Sequence, residues 1–401
     1  VAQVQWASTV GIDGDLERVI GDAAEALVSE LGDTTADLVI AFVSAHHQEQ
    51  FERVPGLVRA AMGGGLLIGC SAAGVIGGGT EIEDRPAVSL TAAVLPGVEL
   101  SPFQLRGDAL PDGCDDPEAW RAALGLGELR DPQFLLFSDP FSFDCDSLLP
   151  ALDRVYAASN TLGGVASGAD QAGDTALYLG AGTYRSGLVG VALSGNIELD
   201  TVVAQGCRSI GEPVFVTHCD GNRILGLDGK LPMLLLRDLY ESLDEHDRLM
   251  FRESLCLGMV IDGGQQSYGC GDFLVRDILG VEEDTGVICV GAALRENLVV
   301  QFHLRDRETA ASEVDDLLRN YAGRASRPPA GALMFPCMAR GSAFYGRSES
   351  DTGAFRQHLG DLALGGFFCA GEIAAMRGRT LLHAFSSSFG LFRSRDDGGR
   401  G

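Results

Sequence analysis

At 401 residues, with 46% hydrophobic and 21% charged content, the chain can bury one large core or two moderate ones. Its 56 acidic residues outnumber 30 basic ones, and the formal charge of −26 repels nucleic acid and anionic membranes alike. No apolar run of about 18 residues marks a membrane span. The opening VAQVQWASTVGIDGD has neither the basic region nor the apolar stretch of a signal peptide. The ten cysteines are scattered without the C-x-x-C spacing of a zinc site or disulfide framework. A cytoplasmic protein with reduced thiols, outside both membrane and nucleic acid, is the expectation.

Apolar spacing predicts a helix over Leu16–Leu31, with Asp13 and Asp15 as caps, then a strand at Leu38–Val43. A helix over Glu49–Met62 and a strand at Leu66–Gly69 follow. Two apolar runs, Ala87–Leu95 and Val98–Leu105, meet at Pro96–Gly97 and read as an antiparallel pair. The pattern returns as a strand at Phe134–Ser138, a helix over Asp144–Ala157 and a strand at Thr161–Val165. A second pair, Gly187–Leu193 with Ile197–Ala204, turns at Ser194–Asn196. A third copy has a strand at Ala332–Phe335, a helix over Ser350–Leu359, a strand at Gly366–Phe368 and two more strands within Thr380–Phe392.

The interval from first strand end to the next small-residue loop is nearly constant: 25 residues from Ser44 to Gly69, 26 from Ser138 to Gly164, and 29 from Cys337 to Gly366. Repeated β-α-β-β-β units follow from that regularity. Between copies two and three lie a strand pair over Val214–Leu227, a helix over Leu231–Leu243, strands at Leu255–Ile261, Val287–Leu294 and Leu298–Leu304, and a helix over Glu308–Tyr321. The predicted class is α+β, with mixed, largely antiparallel sheets packed face to face and helices outside. A division near Gly211–Pro213 gives an N-terminal half, 1–212, and a C-terminal half, 213–392. The RSRDDGGRG segment, 393–401, reads as a disordered tail.

The repeats place polar or reactive residues just beyond strand ends, where groups from a rigid scaffold converge on a ligand. Ser44, His46, His47, Asp139 and Cys337 follow the first strands; Cys70, Ser71, Ser167 and Cys369 follow the second. Arg208 and Arg340 are the carboxylate-binding candidates, since guanidinium grips a carboxylate through paired hydrogen bonds, and Glu372 is a candidate for a ligand ammonium group. Each has a structural alternative: core packing for the thiols, capping for the histidines, ion pairing for the arginines and a turn tie for Glu372. The run after Leu66 is no nucleophile elbow, because Ser71 is followed two residues on by Ala73 rather than glycine. It lacks the lysine of a phosphate loop.

The ordered blocks LVIAFVSAHH, GCSAAGVIGGGTEIE, SDPFSFD, LGGVASG, QGCRSIGEPVFVT, FPCMARGSAFYG, GGFFCAGEIA and TLLHAFSSSFGLF resemble the FIST sensory domain family, N-terminal and C-terminal domains together, from about Asp37 to Phe392. The resemblance implies a non-catalytic sensor of a small polar ligand, amino acids foremost, that acts in signal transduction through a separate signalling protein. The set His46, His47, Cys70, Ser71, Asp139, Ser167, Arg208, Cys337, Arg340 and Glu372 is the expected ligand site, with no metal and no cofactor. An alternative with a family basis is a haem-binding nitric oxide sensor, using His46 or His47 as axial ligand. A second alternative is a cysteine-dependent hydrolase pairing Cys70 or Cys337 with His46 or His383.

Overall fold

The computed structural model describes residues 4–32, 34–111, 116–265, 267–269, 271–282, 284–325 and 327–395. The chain packs as two compact units. One gathers the residues up to Val203, Asp315–Leu382 and those from Ser386 on; the other holds Ala204–Val314 with His383–Phe385. The fold class is α+β, as the hydrophobic patterning predicts.

The first unit is a threefold repeat. Repeat one runs β1 (Gln5–Ile12), α1 (Leu16–Leu31), β2 (Leu38–Ser44), α2 (Val54–Met62), β3 (Leu66–Ala72), the hairpin β4 (Val75–Gly77) and β5 (Thr80–Ile82), and β6 (Ala87–Val94). Repeat two runs β7 (Val98–Leu105), α3 (Pro117–Leu124), β8 (Gln133–Ser138), α4 (Cys145–Val155), β9 (Thr161–Val165), the hairpin β10 (Leu177–Leu179) and β11 (Gly182–Tyr184), and β12 (Leu188–Gly195). Repeat three opens with β13 (Glu198–Ala204) and is interrupted by the second unit's strands. That insertion comprises β14 (Cys207–Asp220), β15 (Arg223–Leu227), α5 (Pro232–Ser242), α6 (Glu245–Ser254), β16 (Leu255–Val260), β17 (Phe273–Val281), β18 (Ile288–Val290) and β19 (Val299–Arg305). Repeat three resumes with α7 (Arg307–Arg324), β20 (Gly331–Pro336), α8 (Ser342–Tyr345), α9 (Ser350–Leu359), β21 (Leu364–Phe367), the hairpin β22 (Gly371–Met376) and β23 (Arg379–His383), and β24 (Ser387–Arg393).

Three six-stranded sheets result, ordered β1-β6-β2-β3-β10-β11, β7-β12-β8-β9-β22-β23 and β13-β24-β20-β21-β4-β5. In each, a helical crossover makes one parallel pair, β2 with β3, β8 with β9 or β20 with β21, and the other pairings whose register is established are antiparallel. The hairpins are exchanged in a ring. Repeat two's hairpin extends repeat one's sheet at β3, repeat three's extends repeat two's at β9, and repeat one's extends repeat three's at β21.

The expected antiparallel pairs at Pro96–Gly97 and Ser194–Asn196 do not form. Both edges of β6 are taken by β1 and β2, and both edges of β12 by β7 and β8. The turns are real, closed at the first by Val98 N–H donating to Leu95 O at 3.1 Å, but they carry the chain from one sheet to the next. The repeat therefore opens one strand and one helix earlier than a β-α-β-β-β unit and carries a short hairpin, of which only β23 was among the expected strands.

Period-two alternation sends one face of each sheet inward. Leu38, Ile40 and Phe42 of β2 share an inner core with Leu135 and Phe137 of β8 and Leu333 and Phe335 of β20. Phe42, Phe137 and Phe335 occupy corresponding positions and form a triangle with ring centroids 5.3, 5.9 and 5.8 Å apart, each pair edge-on. Outer faces take helices: α1 buries Leu16, Val19, Ile20, Ala23 and Leu27, and α4 buries Leu148, Leu149 and Leu152. Asp15 caps α1 as expected, accepting from Glu17 N and Arg18 N. A Cβ on Gly69, Gly163 or Gly366 would collide with the carbonyl oxygen of Ala41, Leu136 or Met334 on the neighbouring parallel strand. Glycine there lets the parallel pair close. The second repeat's counterpart is thus Gly163, one residue before the Gly164 used for the spacing.

The second unit is a closed barrel, β14-β15-β18-β17-β16-β19, filled by Val216, Ile224, Leu257, Ile288, Val300 and Phe302. Closure leaves no unpaired strand edge. β14 passes through residues 212 and 213 with a register shift between Ile210 and Val214, where Gly211 takes φ 63° and Pro213 lacks an N–H.

Candidate functional site

Two residues beyond each phenylalanine of the triangle, at the end of β2 and just past the ends of β8 and β20, the first strands of the three parallel pairs, stand Ser44, Asp139 and Cys337. All three are buried. Ser44 Oγ accepts from Ala87 N at 2.9 Å, fixing the entry to β6. Asp139 Oδ1 accepts from Thr175 Oγ1 at 2.5 Å, and its Oδ2 accepts from Phe141 N at 3.2 Å and from Ser142 Oγ. Pro140 holds the Asp139 backbone extended, which aims the carboxylate back into its own loop.

The second strands supply the partners. Ser71 Oγ accepts from Ala176 N at 3.0 Å, and Ser167 N donates to Ser71 O at 3.3 Å. Ser167 Oγ accepts from Ala73 N at 2.8 Å and donates to Phe368 O, so one hydroxyl ties together all three repeats. Ser71, Asp139 and Ser167 are thereby gathered around Thr175–Ala176. Cys70 instead lies inside the apolar core, where burial pushes its thiol far above the usual range.

The third repeat differs in kind. Glu372 sits where the other repeats carry Val75 and Leu177, since Glu372, Leu177 and Val75 pair with Gly164, Cys70 and Phe367 in matching register. Its carboxyl is fully buried. Oε2 accepts from Ser386 N at 2.9 Å and Ser386 Oγ at 2.7 Å, and Cys369 Sγ donates to Oε1 at 3.6 Å. Burial raises its pKa to about 7, opposed by the bonds from Ser386, Cys337 and Cys369. Cys337 and Glu372 are therefore neighbours.

Arg340 N donates to Cys337 O at 2.8 Å, and its side chain is bonded through Nε to Asp351 Oδ2 at 2.9 Å and close to Tyr345. The loop it anchors is pinned by two carboxylates from repeat one. Glu81 accepts from Thr352 N at 3.1 Å and Thr352 Oγ1 at 2.8 Å, and Glu83 accepts from Ser342 N at 2.9 Å. Burial, reinforced by Asp351, lifts Glu81 to about 7. The acidic cluster after the three glycines is visible in the sequence, but its partners lie some 260 residues away and leave no local signal.

Arg208 belongs to the barrel, where Asp247 holds it at 2.6 Å and Asp306 at 3.3 Å. His46 is exposed on the 3-10 turn Ala45–Arg53, while His47 is buried. Burial, followed by repulsion from His46, lowers the His47 pKa. His47 Nε2 has no hydrogen-bond partner.

None of the ten expected residues lines the three recorded cavities. The most voluminous of these, about 810 Å³, lies at the opposite, N-terminal end of β1 and β20. Trp6, Asn196, Arg327, Arg393 and Arg395 line it, with Glu30 as its one acidic wall residue. Arg393 closes β24 and pairs with Glu198 at 3.0 Å and Asp200 at 3.2 Å; Arg395 donates to Ile197 O at 3.1 Å and Asp131 O at 2.7 Å. The three arginines fall in SRPPAG and in the segment expected as a tail, where no local pattern marks a site. Residues 396–401 of that segment lie outside the described residues.

Residues 37–230 match the FIST N domain and residues 233–375 match the FIST C domain. The chain belongs to the FIST family. FIST domains are sensory domains. An uncharacterized protein of Mycobacterium tuberculosis is 34% identical over 378 residues, covering 94% of this FIST chain and 97% of its own. One from Mycobacterium bovis is 33% identical over 382 residues, covering 94% and 96%. Among solved structures, a cyanuric acid hydrolase from A. caulinodans covers 98% of this chain and 99% of its own at a TM-score of 0.35 and 7% identity, a likeness too remote to bear on function.

His46 projects from a surface turn, His47 is packed at 2% exposure, and neither lines a recorded cavity. Among the described residues no group of three or more His, Cys, Asp or Glu is placed to hold a metal ion. No helix of the described residues is long and apolar enough to cross a membrane.

Proposed function

We propose that this FIST protein is a non-catalytic sensor of a small acidic metabolite, with amino acids the first class to test, and that it binds this ligand in the cavity walled by Arg327, Arg393 and Arg395. The carrying observation is three guanidiniums around one cavity of about 810 Å³ in a chain of charge −26. Arginine concentrated against the prevailing charge is a recognition feature for carboxylate, whose two oxygens match its donors. Trp6 adds an apolar wall and Asn196 a further polar group, the composition of a small-molecule site. The strand-end residues act as framework in this reading, because the side-chain oxygens of Ser44, Ser71, Asp139 and Ser167 accept from the backbone N–H groups of Ala87, Ala176, Phe141 and Ala73. Non-catalysis is supported by Cys70, a thiol sealed in apolar surroundings. The eight cysteines among the described residues are free, which supports a reducing compartment such as the cytoplasm, and in this reading a separate protein receives the signal.

The test is a thermal-shift titration with the common amino acids and with small mono- and dicarboxylates, on the native chain and on Arg393→Gln and Arg395→Gln. A ligand that binds only the folded state raises Tm. At least one acidic compound is expected to raise the native Tm and to lose that effect in both variants. Melting temperatures unmoved by every compound, or shifts untouched by both substitutions, would refute the assignment.

A further inference from the structure

We propose that Cys337 and Cys369 are a redox modification site, a dithiol that a hydroperoxide converts to a reversible disulfide. This goes beyond the ligand reading and does not depend on it. The two residues are direct neighbours in a parallel bridge that continues the β20–β21 register, Met334 with Gly366 and Cys337 with Cys369. Met338 N donates to Cys369 O, and Cys369 N to Pro336 O, each at 2.8 Å, so the backbones are locked side by side. Paired strands stand about 4.7–4.9 Å apart, within the roughly 4.4–6.8 Å between Cα atoms that a disulfide spans. Registered side chains in a parallel pair leave the same face, here toward Glu372, which both sulfurs hydrogen-bond.

Corresponding positions in the other repeats hold Ser44 with Ala72 and, in the same register, Asp139 with Ala166. The third repeat alone among the three joins two thiols there, and a carboxyl replaces the apolar side chain beside them. Gly164 makes room: a Cβ on it would stand 3.0 Å from Cys369 Cβ. A second thiol pair, Cys207 and Cys256 in the barrel, lies on strands that flank β19 from opposite sides. Their backbones are about twice the strand spacing apart, beyond the roughly 7 Å limit for bridging.

The chemistry balances with one hydroperoxide. Cys337, 6% exposed, meets the oxidant, whereas Cys369 is fully buried. The Cys337 thiol passes its proton to the Glu372 carboxylate, and its sulfur attacks the peroxide oxygen. The O–O bond breaks, the departing hydroxide takes the proton from Glu372, and water and a sulfenic acid result. Cys369 sulfur then attacks Cys337 sulfur; the S–S bond forms, the S–O bond breaks, and the Cys369 proton leaves with the hydroxyl as a second water. Two thiols and hydrogen peroxide thus give one disulfide and two waters. Burial and the adjacent carboxyl raise the Cys369 thiol, which leaves Cys337 as the thiol that reacts first.

The experiment treats the reduced full chain with hydrogen peroxide, blocks remaining thiols and maps tryptic peptides without reductant. Peptides 325–340 and 357–377 are expected as one cross-linked species lighter by two hydrogens, separated again by dithiothreitol. Glu372→Gln should slow its formation by on the order of a hundredfold at neutral pH, the loss of a positioned proton acceptor. Mapping of the unaltered chain stands even where that variant folds poorly. Unreacted thiols, a Cys337 sulfinic acid without cross-link, or a cross-link confined to Cys207 and Cys256 would each overturn the proposal.

Discussion

Arg340 and Asp351 face each other in the protein interior, with Nε 2.9 Å from Oδ2, Nη2 3.1 Å from Oδ1, and side-chain exposures of 1% and 4%. Tyr345 adds a hydroxyl donor to Asp351 Oδ1 at 2.7 Å. Removing one member leaves a buried charge unpaired. Arg340→Ala is expected to cost about 3–5 kcal/mol in urea denaturation, and Asp351→Ala a similar amount. The double variant Arg340→Met with Asp351→Leu should recover more than half of that loss. A single substitution that leaves the urea midpoint in place would contradict the pairing.

Glu81 and Glu372 both bind a proton more tightly folded than unfolded, with pKa values near 7 against 4.5. Their contribution to stability is fully present below pH 4.5 and is lost as pH rises through 7. Each is worth roughly 3 kcal/mol across that window. Asp306 is shifted the other way, so the informative quantity is the difference between variants. Glu372→Gln, which carries no charge, should lose less stability than the native chain between pH 4.5 and 7. Parallel curves for the two proteins would show that this carboxyl is ionised well below neutrality.

The aromatic triangle offers a symmetric test. Phe42→Ala, Phe137→Ala and Phe335→Ala should each cost about 3–5 kcal/mol, since each opens a cavity at the same junction. Any two combined should deviate from additivity, because the rings touch. Additive losses would mean the three positions do not share one core.

Added haem is expected to give no stoichiometric Soret band. A band abolished by replacing His46 or His47 would restore the haem reading.

Local signals carried the larger elements. Helix α1 is bounded by the residues its apolar spacing indicates, with Asp15 as its cap, and α9 matches its expected span as well. The repeat was legible because the interval from a strand end to the next small-residue loop recurs at 25, 26 and 29 residues. Strand partners were less so: β6 and β7 look like a hairpin over two adjoining apolar runs, and only the occupation of both β6 edges by β1 and β2 forbids it. Three-residue strands such as β4 and β10 are too short for a period to show. At the site, Ser71, Asp139 and Ser167 are bonded into one network, while Cys70 from the same run is packed in the apolar core. The carboxylates that pin Thr352 and Ser342, and the arginines of the cavity, depend on contacts between distant segments.

The ring of exchanged hairpins fixes the number of repeats at three. A solenoid gains or loses modules at its ends because each touches only its neighbours. Here the first repeat's hairpin is already committed to the third, so a fourth copy would find no open sheet to enter, and a deleted copy would leave one hairpin stranded and one β edge bare. Chain growth in this architecture has to go into loops, as the barrel between β13 and α7 does, rather than into further turns of the ring.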